Sequence, residues 1–286
     1  MATIIDGRKL AIEVRERAAA EVAELASRGI PCGLAVVLVG DDQGSATYVR
    51  AKLRDCELCG IPSHDYKLPA DTTQEELMDL IARLNADAGV AGILVQMPLP
   101  VHLDEEQVVL AIDPLKDVDG FHPENLGRLV RGLPGLRPCT PAGIMEMLDA
   151  YGVDPAGKNA VIVGRSSIVG KPMSLMLLAR NATISVAHSH TDPRELARIC
   201  QSADILVAAC GIPKMVKGPW VKPGAAVIDV GMDRDEDGKL CGDVDFASAE
   251  LVAGHITPVP GGVGPMTRAM LMSNVALAAK IQHGFA

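Results

Sequence analysis

The hydrophobic positions fall into two recurring patterns: short unbroken apolar runs, and longer segments with apolar residues three or four apart. Residues 34–39, 92–95, 160–163, 205–208 and 226–230 are runs of the first kind. They carry almost no polar interruption, which predicts strands covered on both faces, as in parallel sheets. Residues 64–68 and 183–187 read as more polar strands of the same series. Helical spacing occupies the intervals, near 7–28, 46–59 and 74–85, and again at 266–281. Strand and helix in alternation predict an α/β fold built on parallel sheets with crossover helices.

Pro134, Gly135, Pro138 and Pro141 cluster in the middle of the chain and mark a boundary. The expected division is a first α/β domain over 1–140 and a second over 141–286, with the last helix (about 266–286) packing back on the first. Thr140 stands where it would cap a helix opened by Pro141. A second Pro/Gly cluster, 258–265, precedes the final helix, and 233–240 reads as an acidic surface hairpin.

Composition narrows the function classes. Only 2% of residues are aromatic, so Val, Ile, Leu, Met and Ala must build the core. A net charge of −9 argues against a nucleic-acid partner, which would need clustered Lys and Arg. Residues 1–6 lack the basic-then-apolar pattern of a secretion signal, and no run approaches the ~20 apolar residues of a membrane span. The expectation is a cytoplasmic protein that does not enter a membrane. Seven cysteines, an odd number spread over both halves, fit a reducing compartment. Cys56 and Cys59 form a C-x-x-C inside a helical pattern, and Cys200, Cys210 and Cys241 offer no second pair. His188 and His190 lack a third ligand, so no metal site is expected.

Chemistry-bearing candidates begin with residues 160–172. Four apolar residues run into Gly164, and Gly170 opens a helical pattern carried by Met173, Leu175, Met176 and Leu177. A strand, a glycine turn and a helix in that order bring backbone N–H groups and a helix N-terminus against a dinucleotide pyrophosphate. Ser166 replaces the middle glycine of the usual pattern, so a plain strand-to-helix connection is the alternative. The candidate cofactor-binding residues are Gly164, Arg165, Ser166, Ser167, Ile168, Val169 and Gly170, with Thr140, Ser189, Cys210 and Gly211. After the next strand, His188-Ser189-His190-Thr191 supplies no acid for ribose hydroxyls, and Asp192 before Pro193 reads as a helix cap. With Arg165 in the turn, this favours a ribose 2′-phosphate and hence NADP.

In the first half, Tyr48 and Lys52 share one helix face at i, i+4. A solvated lysine over a half-buried tyrosine is the alternative on spacing alone. Gln96 closes an apolar strand just before Met97-Pro98-Leu99-Pro100, where open α/β sheets place ligand contacts. Lys116-Asp117-Val118-Asp119-Gly120 adds two acids in a tight turn, and a turn could use either one.

These stretches, with 138–143 and 257–270, occur in an order that resembles the methylenetetrahydrofolate dehydrogenase/methenyltetrahydrofolate cyclohydrolase family. The resemblance spans nearly the whole chain. It implies two α/β domains around a cleft, a folate-binding catalytic domain first and a Rossmann-like NADP-binding domain second. It also implies a homodimer acting on tetrahydrofolate derivatives in one-carbon metabolism, on the route to purine biosynthesis. By position, Lys52 matches the family's essential lysine, Gln96 its partner, and Tyr48 the tyrosine that packs on the folate ring system. Asp119 matches the carboxylate that holds the pterin's amino-pyrimidine edge. Arg165 and Ser189 match the groups that contact the cofactor 2′-phosphate, and Pro260, Gly261, Gly262 and Val263 match a loop near the folate. A cation beside Lys52 would disfavour the ammonium and let it exchange protons near neutral pH. Two other readings are an NADP-dependent dehydrogenase of a small hydroxy acid, of the shikimate type, and a non-catalytic NADP-binding module. The first leaves Gln96, Asp119 and the 260–265 loop without tasks, and the second predicts cofactor binding with no turnover and no cost to replacing Lys52.

Overall fold

The computed structural model describes residues 1–285. In chain order the first elements are β1 (Thr3–Ile4), α1 (Gly7–Ser27), β2 (Gly33–Val39), α2 (Gln43–Cys59), β3 (Ser63–Leu68), α3 (Gln74–Ala86) and β4 (Val90–Val95). Then come α4 (Glu105–Ala111), α5 (Pro123–Val130), α6 (Cys139–Ala150), β5 (Asn159–Val163), α7 (Gly170–Ala179), β6 (Thr183–Ala187) and α8 (Pro193–Gln201). The chain closes with β7 (Ile205–Ala208), β8 (Ala226–Asp229), β9 (Asp233–Arg234), β10 (Leu240–Cys241), α9 (Phe246–Ala249), β11 (His255–Ile256) and α10 (Val263–Gln282). The strands expected from apolar runs all form, within two residues at either end.

The chain gathers into two compact units, one of Ile12–Cys139 with Arg268–Ala286, the other of Met1–Ala11 with Thr140–Thr267. The sequence put all of 1–140 in one domain, but residues 1–11 join the later unit. Thr3 and Ile4 pair in parallel with His255 and Ile256, and the Ile5 N–H donates to the Ile256 carbonyl at 2.8 Å. A two-residue strand leaves no periodicity to read.

In the unit of residues 12–139 and 268–286, three parallel strands run in the order β3-β2-β4. β2 is buried along its whole length, as its unbroken apolar run predicts. Leu34, Val36 and Leu38 pack with Val22 and Leu25 of α1, Val49 and Cys56 of α2, and Leu271 and Val275 of α10. Ala35, Val37 and Val39 pack on the opposite face with Leu77, Ile81 and Leu84 of α3 and Val108 of α4. Cys56 and Cys59 lie buried in this packing, and burial pushes their thiols up to about 12 and about 11. They remain thiols at neutral pH and act as small apolar side chains.

The other unit holds a six-stranded parallel sheet in the order β1-β11-β8-β7-β5-β6. Val163 is in register with Ala187 on one side and Ala208 on the other, and Ala208 with Asp229. The loops after these four strands therefore leave the same edge side by side, the edge where open α/β sheets bind ligands. Asp192 caps α8 as expected, its carboxylate accepting the Arg194 N–H at 2.9 Å. β9 and β10 form the expected antiparallel hairpin. Among the described residues no helix is long and apolar enough to cross a membrane.

Candidate active site

Asp42 accepts the Ser45 N–H at 2.7 Å and starts α2, and Gly60 ends it in the left-handed conformation. That frame places Tyr48 and Lys52, both half-buried, one turn apart. Gln96 directly follows β4, and its N–H still donates to the Val37 carbonyl at 2.8 Å, so the sheet fixes where its side chain begins. Lys52 Nζ donates to Gln96 Oε1 at 3.0 Å, and Gln96 Nε2 donates to the Met97 carbonyl at 2.6 Å. The second bond decides the first. With the amide NH₂ held by a carbonyl, only the oxygen can face the lysine. Gln96 thus holds one Nζ hydrogen in a fixed direction and leaves the other valences of the nitrogen for water or substrate. Burial pushes the Tyr48 phenol up, opposed by Arg268, so it stays protonated.

The Lys-Asp-Val-Asp-Gly turn divides its labour. Lys116 is buried and donates to the carbonyls of Leu84 (3.1 Å) and Asp87 (2.7 Å). Asp117 is buried and accepts the His122 N–H at 2.8 Å and Asn125 Nδ2 at 2.9 Å. Both hold the backbone. Asp119 is different: burial pushes its carboxyl up, the Lys52 ammonium pulls it down, and Asp117 adds a smaller upward push. It is the acid of the pair that shares its electrostatic surroundings with the lysine. Gly120 ends the turn at φ +76°, where any side chain would run into the Arg137 and Pro138 backbone. Sequence reading missed Asn274 of α10, whose Nδ2 donates to the carbonyls of Val118 and Arg137, each at 2.8 Å. Its signal is a single buried amide inside the apolar run Leu271-Met272-Ser273-Asn274-Val275-Ala276.

In the other unit, Gly164 leaves β5 at φ +127°, and a side chain there would meet the Ala209 carbonyl. A side chain on Gly170 would meet the Gly164 carbonyl, so both glycines are needed to close the turn. Arg165, Ser166, Ser167 and Ile168 are exposed between them, and Val169 is buried beneath. Ser166 Oγ accepts the N–H groups of Val169 (3.1 Å) and Gly170 (3.3 Å). It fills the middle-glycine position with a hydroxyl that braces the turn. Ser189 is exposed in the loop after β6, next to His188, whose Nδ1 accepts the His190 N–H at 3.2 Å.

Cys210 and Gly211 follow β7. Their N–H groups donate to Asp243 Oδ2 at 2.6 and 3.2 Å, and that of Ile212 donates to Oδ1 at 2.8 Å. Asp243 is fully buried, and Asp229 accepts its N–H (2.9 Å) and that of Val244 (3.0 Å). Burial carries the Asp229 carboxyl up to about 7. This carboxylate pair, invisible in sequence spacing, shapes the loop. Thr140 is not a cap: α6 starts at Cys139, so Thr140 lies inside the helix, and its hydroxyl pairs with that of Thr267 at 2.9 Å. Pro260 is exposed, and Gly261, Gly262 and Val263 are buried at the start of α10. The Gly261 carbonyl accepts the Arg8 N–H at 3.2 Å. Tyr48, Lys52, Gln96 and Asp119 thus fall in one unit, and the glycine turn, Ser189, Cys210, Gly211, Thr140 and the 260–263 loop in the other.

Comparison with known proteins agrees with both halves. The tetrahydrofolate dehydrogenase/cyclohydrolase catalytic domain matches residues 5–119, and the NAD(P)-binding domain of the same family matches residues 138–283. The bifunctional protein FolD of Anaeromyxobacter dehalogenans is 60% identical over 97% of this chain and 98% of its own. The crystal structure of the bifunctional FolD methylenetetrahydrofolate dehydrogenase/cyclohydrolase from Campylobacter jejuni superposes with a TM-score of 0.95 at 47% identity, covering 99% of this chain and 100% of that one. The Trypanosoma brucei FolD, solved with NADP cofactor and an inhibitor, gives a TM-score of 0.93 at 40% identity, covering 100% and 99%. Shikimate dehydrogenases, at 12–16% identity and TM-scores of 0.50–0.51, share the fold alone. With both domain types matched in order and near-complete coverage, the chain belongs to the tetrahydrofolate dehydrogenase/cyclohydrolase family.

Proposed function

We propose that the chain oxidises 5,10-methylenetetrahydrofolate to the methenyl form with NADP and then hydrolyses the methenyl form to 10-formyltetrahydrofolate. The observation that carries the reading is the Lys52–Gln96 hydrogen bond, with the amide turned so that its oxygen must face the ammonium. Asp119 accepts the two N–H groups of the pterin's amino-pyrimidine edge, and Tyr48 packs on the ring system. Orientation then leaves the methylene bridge ready to lose hydride, a step that needs position more than an acid or base. Hydration of the resulting cation and ring opening do need proton movement, and Lys52, steered by Gln96, carries it. The 260–263 loop completes the folate contacts.

The residues of the glycine turn fit a dinucleotide. Gly164 and Gly170 admit no side chain, and the exposed turn between them leads into a helix whose N-cap residue, Val169, makes no side-chain cap of its own. NADP, when bound, supplies the hydride acceptor. Gly164 through Gly170, Thr140, Cys210 and Gly211 would hold it, with Arg165 and Ser189 on the 2′-phosphate. Arg165→Ala is accordingly expected to lower kcat/KM with NADP roughly tenfold to a hundredfold more than with NAD. Parallel steady-state measurements with the two cofactors check this, and equal losses would refute the 2′-phosphate assignment. The same reading makes the protein a cytoplasmic homodimer on the route to purine biosynthesis. The terminal position of β6 in its sheet supplies an edge for a second copy.

A further inference from the structure

The turn that carries Asp119 is held from two sides, and the two sides are built differently. On one side it runs along β4. The Ile93 N–H donates to the Lys116 carbonyl at 2.8 Å, and the Val118 side chain packs against Gly92 so closely that a side chain there would displace it. On the other side lies α10, which reaches the turn with two amides. Gln282 Nε2 donates to the carbonyls of Ala91 (2.8 Å) and Leu115 (3.0 Å), at the start of the turn. Asn274 Nδ2 donates to the carbonyls of Val118 and Arg137, each at 2.8 Å, beside Asp119 itself. Only the NH₂ group can face two carbonyls, and both of its hydrogens are used.

Asn274 is costly where it stands. It is 4% exposed, on a helix whose neighbouring Leu271, Met272, Val275 and Ala276 are all buried. A buried amide weakens the fold unless it is hydrogen-bonded, and Leu or Met would fill the position without that condition. What the amide adds is direction. The Val118 carbonyl belongs to the same planar peptide unit as the Asp119 N–H, so holding the carbonyl holds the plane from which the Asp119 Cα projects. Cys139 Sγ donates to the same oxygen at 3.3 Å, and the two donors together occupy its lone pairs. The following peptide is tied as well, by the Gly120 N–H donating to the Asp117 carbonyl at 3.0 Å. A carboxylate that presents two oxygens to two N–H groups depends on its direction more than a packed apolar side chain does.

We propose that Asn274 is a positioning residue for Asp119: it fixes the Val118–Asp119 peptide and so aims the carboxylate at the pterin edge of the substrate. The proposal rests on the folate reading above. Asn274→Leu keeps helix propensity and much of the volume while removing both donors. It is expected to raise the KM for methylenetetrahydrofolate roughly tenfold, with kcat changed by less than about threefold and the KM for NADP unmoved. Gln282→Leu is the control. It removes two backbone hydrogen bonds between the same helix and the same turn, and should leave the folate KM within about twofold of the parent. A merely structural role would move the two variants together. The decisive readout places Asn274→Leu in an Asp119→Ala background, where the folate KM should rise no further because no carboxylate is left to aim. Should Asn274→Leu not fold, Asn274→Ser, which keeps one donor, is taken through the same cycle with an expected rise of roughly threefold. An unchanged folate KM in the single variant, an equal rise in Gln282→Leu, or the same rise with and without Asp119 would overturn the proposal and leave the folate reading standing. A folate KM that Asp119→Ala itself does not move would instead remove the reading on which it rests.

Discussion

Lys52→Met is expected to cut methenyltetrahydrofolate hydrolysis by roughly 10²- to 10⁴-fold, the range for loss of a positioned proton carrier, while hydride transfer stays measurable. Methionine keeps the unbranched stem and the helix propensity of lysine, so α2 and its packing should survive. What disappears is the nitrogen that Gln96 Oε1 orients at 3.0 Å. Gln96 is half-buried, and water can take up the acceptor that the variant frees. The oxidation makes no comparable demand, because the methenyl cation it forms is stabilised by its own nitrogen lone pairs. Following the methenyl chromophore and NADPH separately in the purified variant distinguishes the two steps. Hydrolysis at the parent rate would remove Lys52 from the mechanism.

Asp119→Ala is expected to lower kcat/KM for both activities by about 10²- to 10³-fold, chiefly through KM, because a carboxylate accepting two N–H groups binds ground and transition states alike. The fold should not suffer. Burial holds the Asp119 carboxyl above its ordinary range, so ionising it costs the native state more than the unfolded chain. Removing it relieves that cost, and the thermal midpoint should stay level or rise. Asp117→Ala should do the reverse. Its carboxylate accepts a backbone N–H and the Asn125 amide, and losing it strands both donors in the interior at about 1–3 kcal/mol each. The pair of variants, measured by steady-state kinetics and thermal unfolding, separates the two acids of one turn. An Asp119→Ala protein that unfolds early and retains its KM would reverse the assignment.

That separation marks where the sequence stops being informative. The apolar runs at 34–39 and 92–95 announce buried parallel strands because the physics of covering both sheet faces acts on every residue in them. The glycine turn is legible for a similar reason: Gly164 and Gly170 sit where backbone meets backbone, and no other residue fits. Spacing alone gives no preference between Asp117 and Asp119, since either acid suits a turn, and their difference lies in neighbours 8 and 67 residues away, Asn125 and Lys52. Thr140 looks like a cap because Pro141 follows it, yet α6 begins a residue earlier and the hydroxyl turns to Thr267. β1 is too short to carry a pattern, and its partner stands some 250 residues later. Asp243, which accepts the N–H groups of Cys210, Gly211 and Ile212, is one acid among many in an acidic stretch until the fold buries it.

One chain performing both steps, oxidation by NADP and hydrolysis at Lys52, is open to a single experiment. Methylenetetrahydrofolate and NADP are supplied to the purified protein, and NADPH and the methenyl chromophore are recorded as separate signals. NADPH is expected to form while methenyltetrahydrofolate stays low and 10-formyltetrahydrofolate accumulates. Reduction accompanied by methenyl that decays only at its spontaneous rate would exclude the second activity, and no reduction with either NADP or NAD would exclude both.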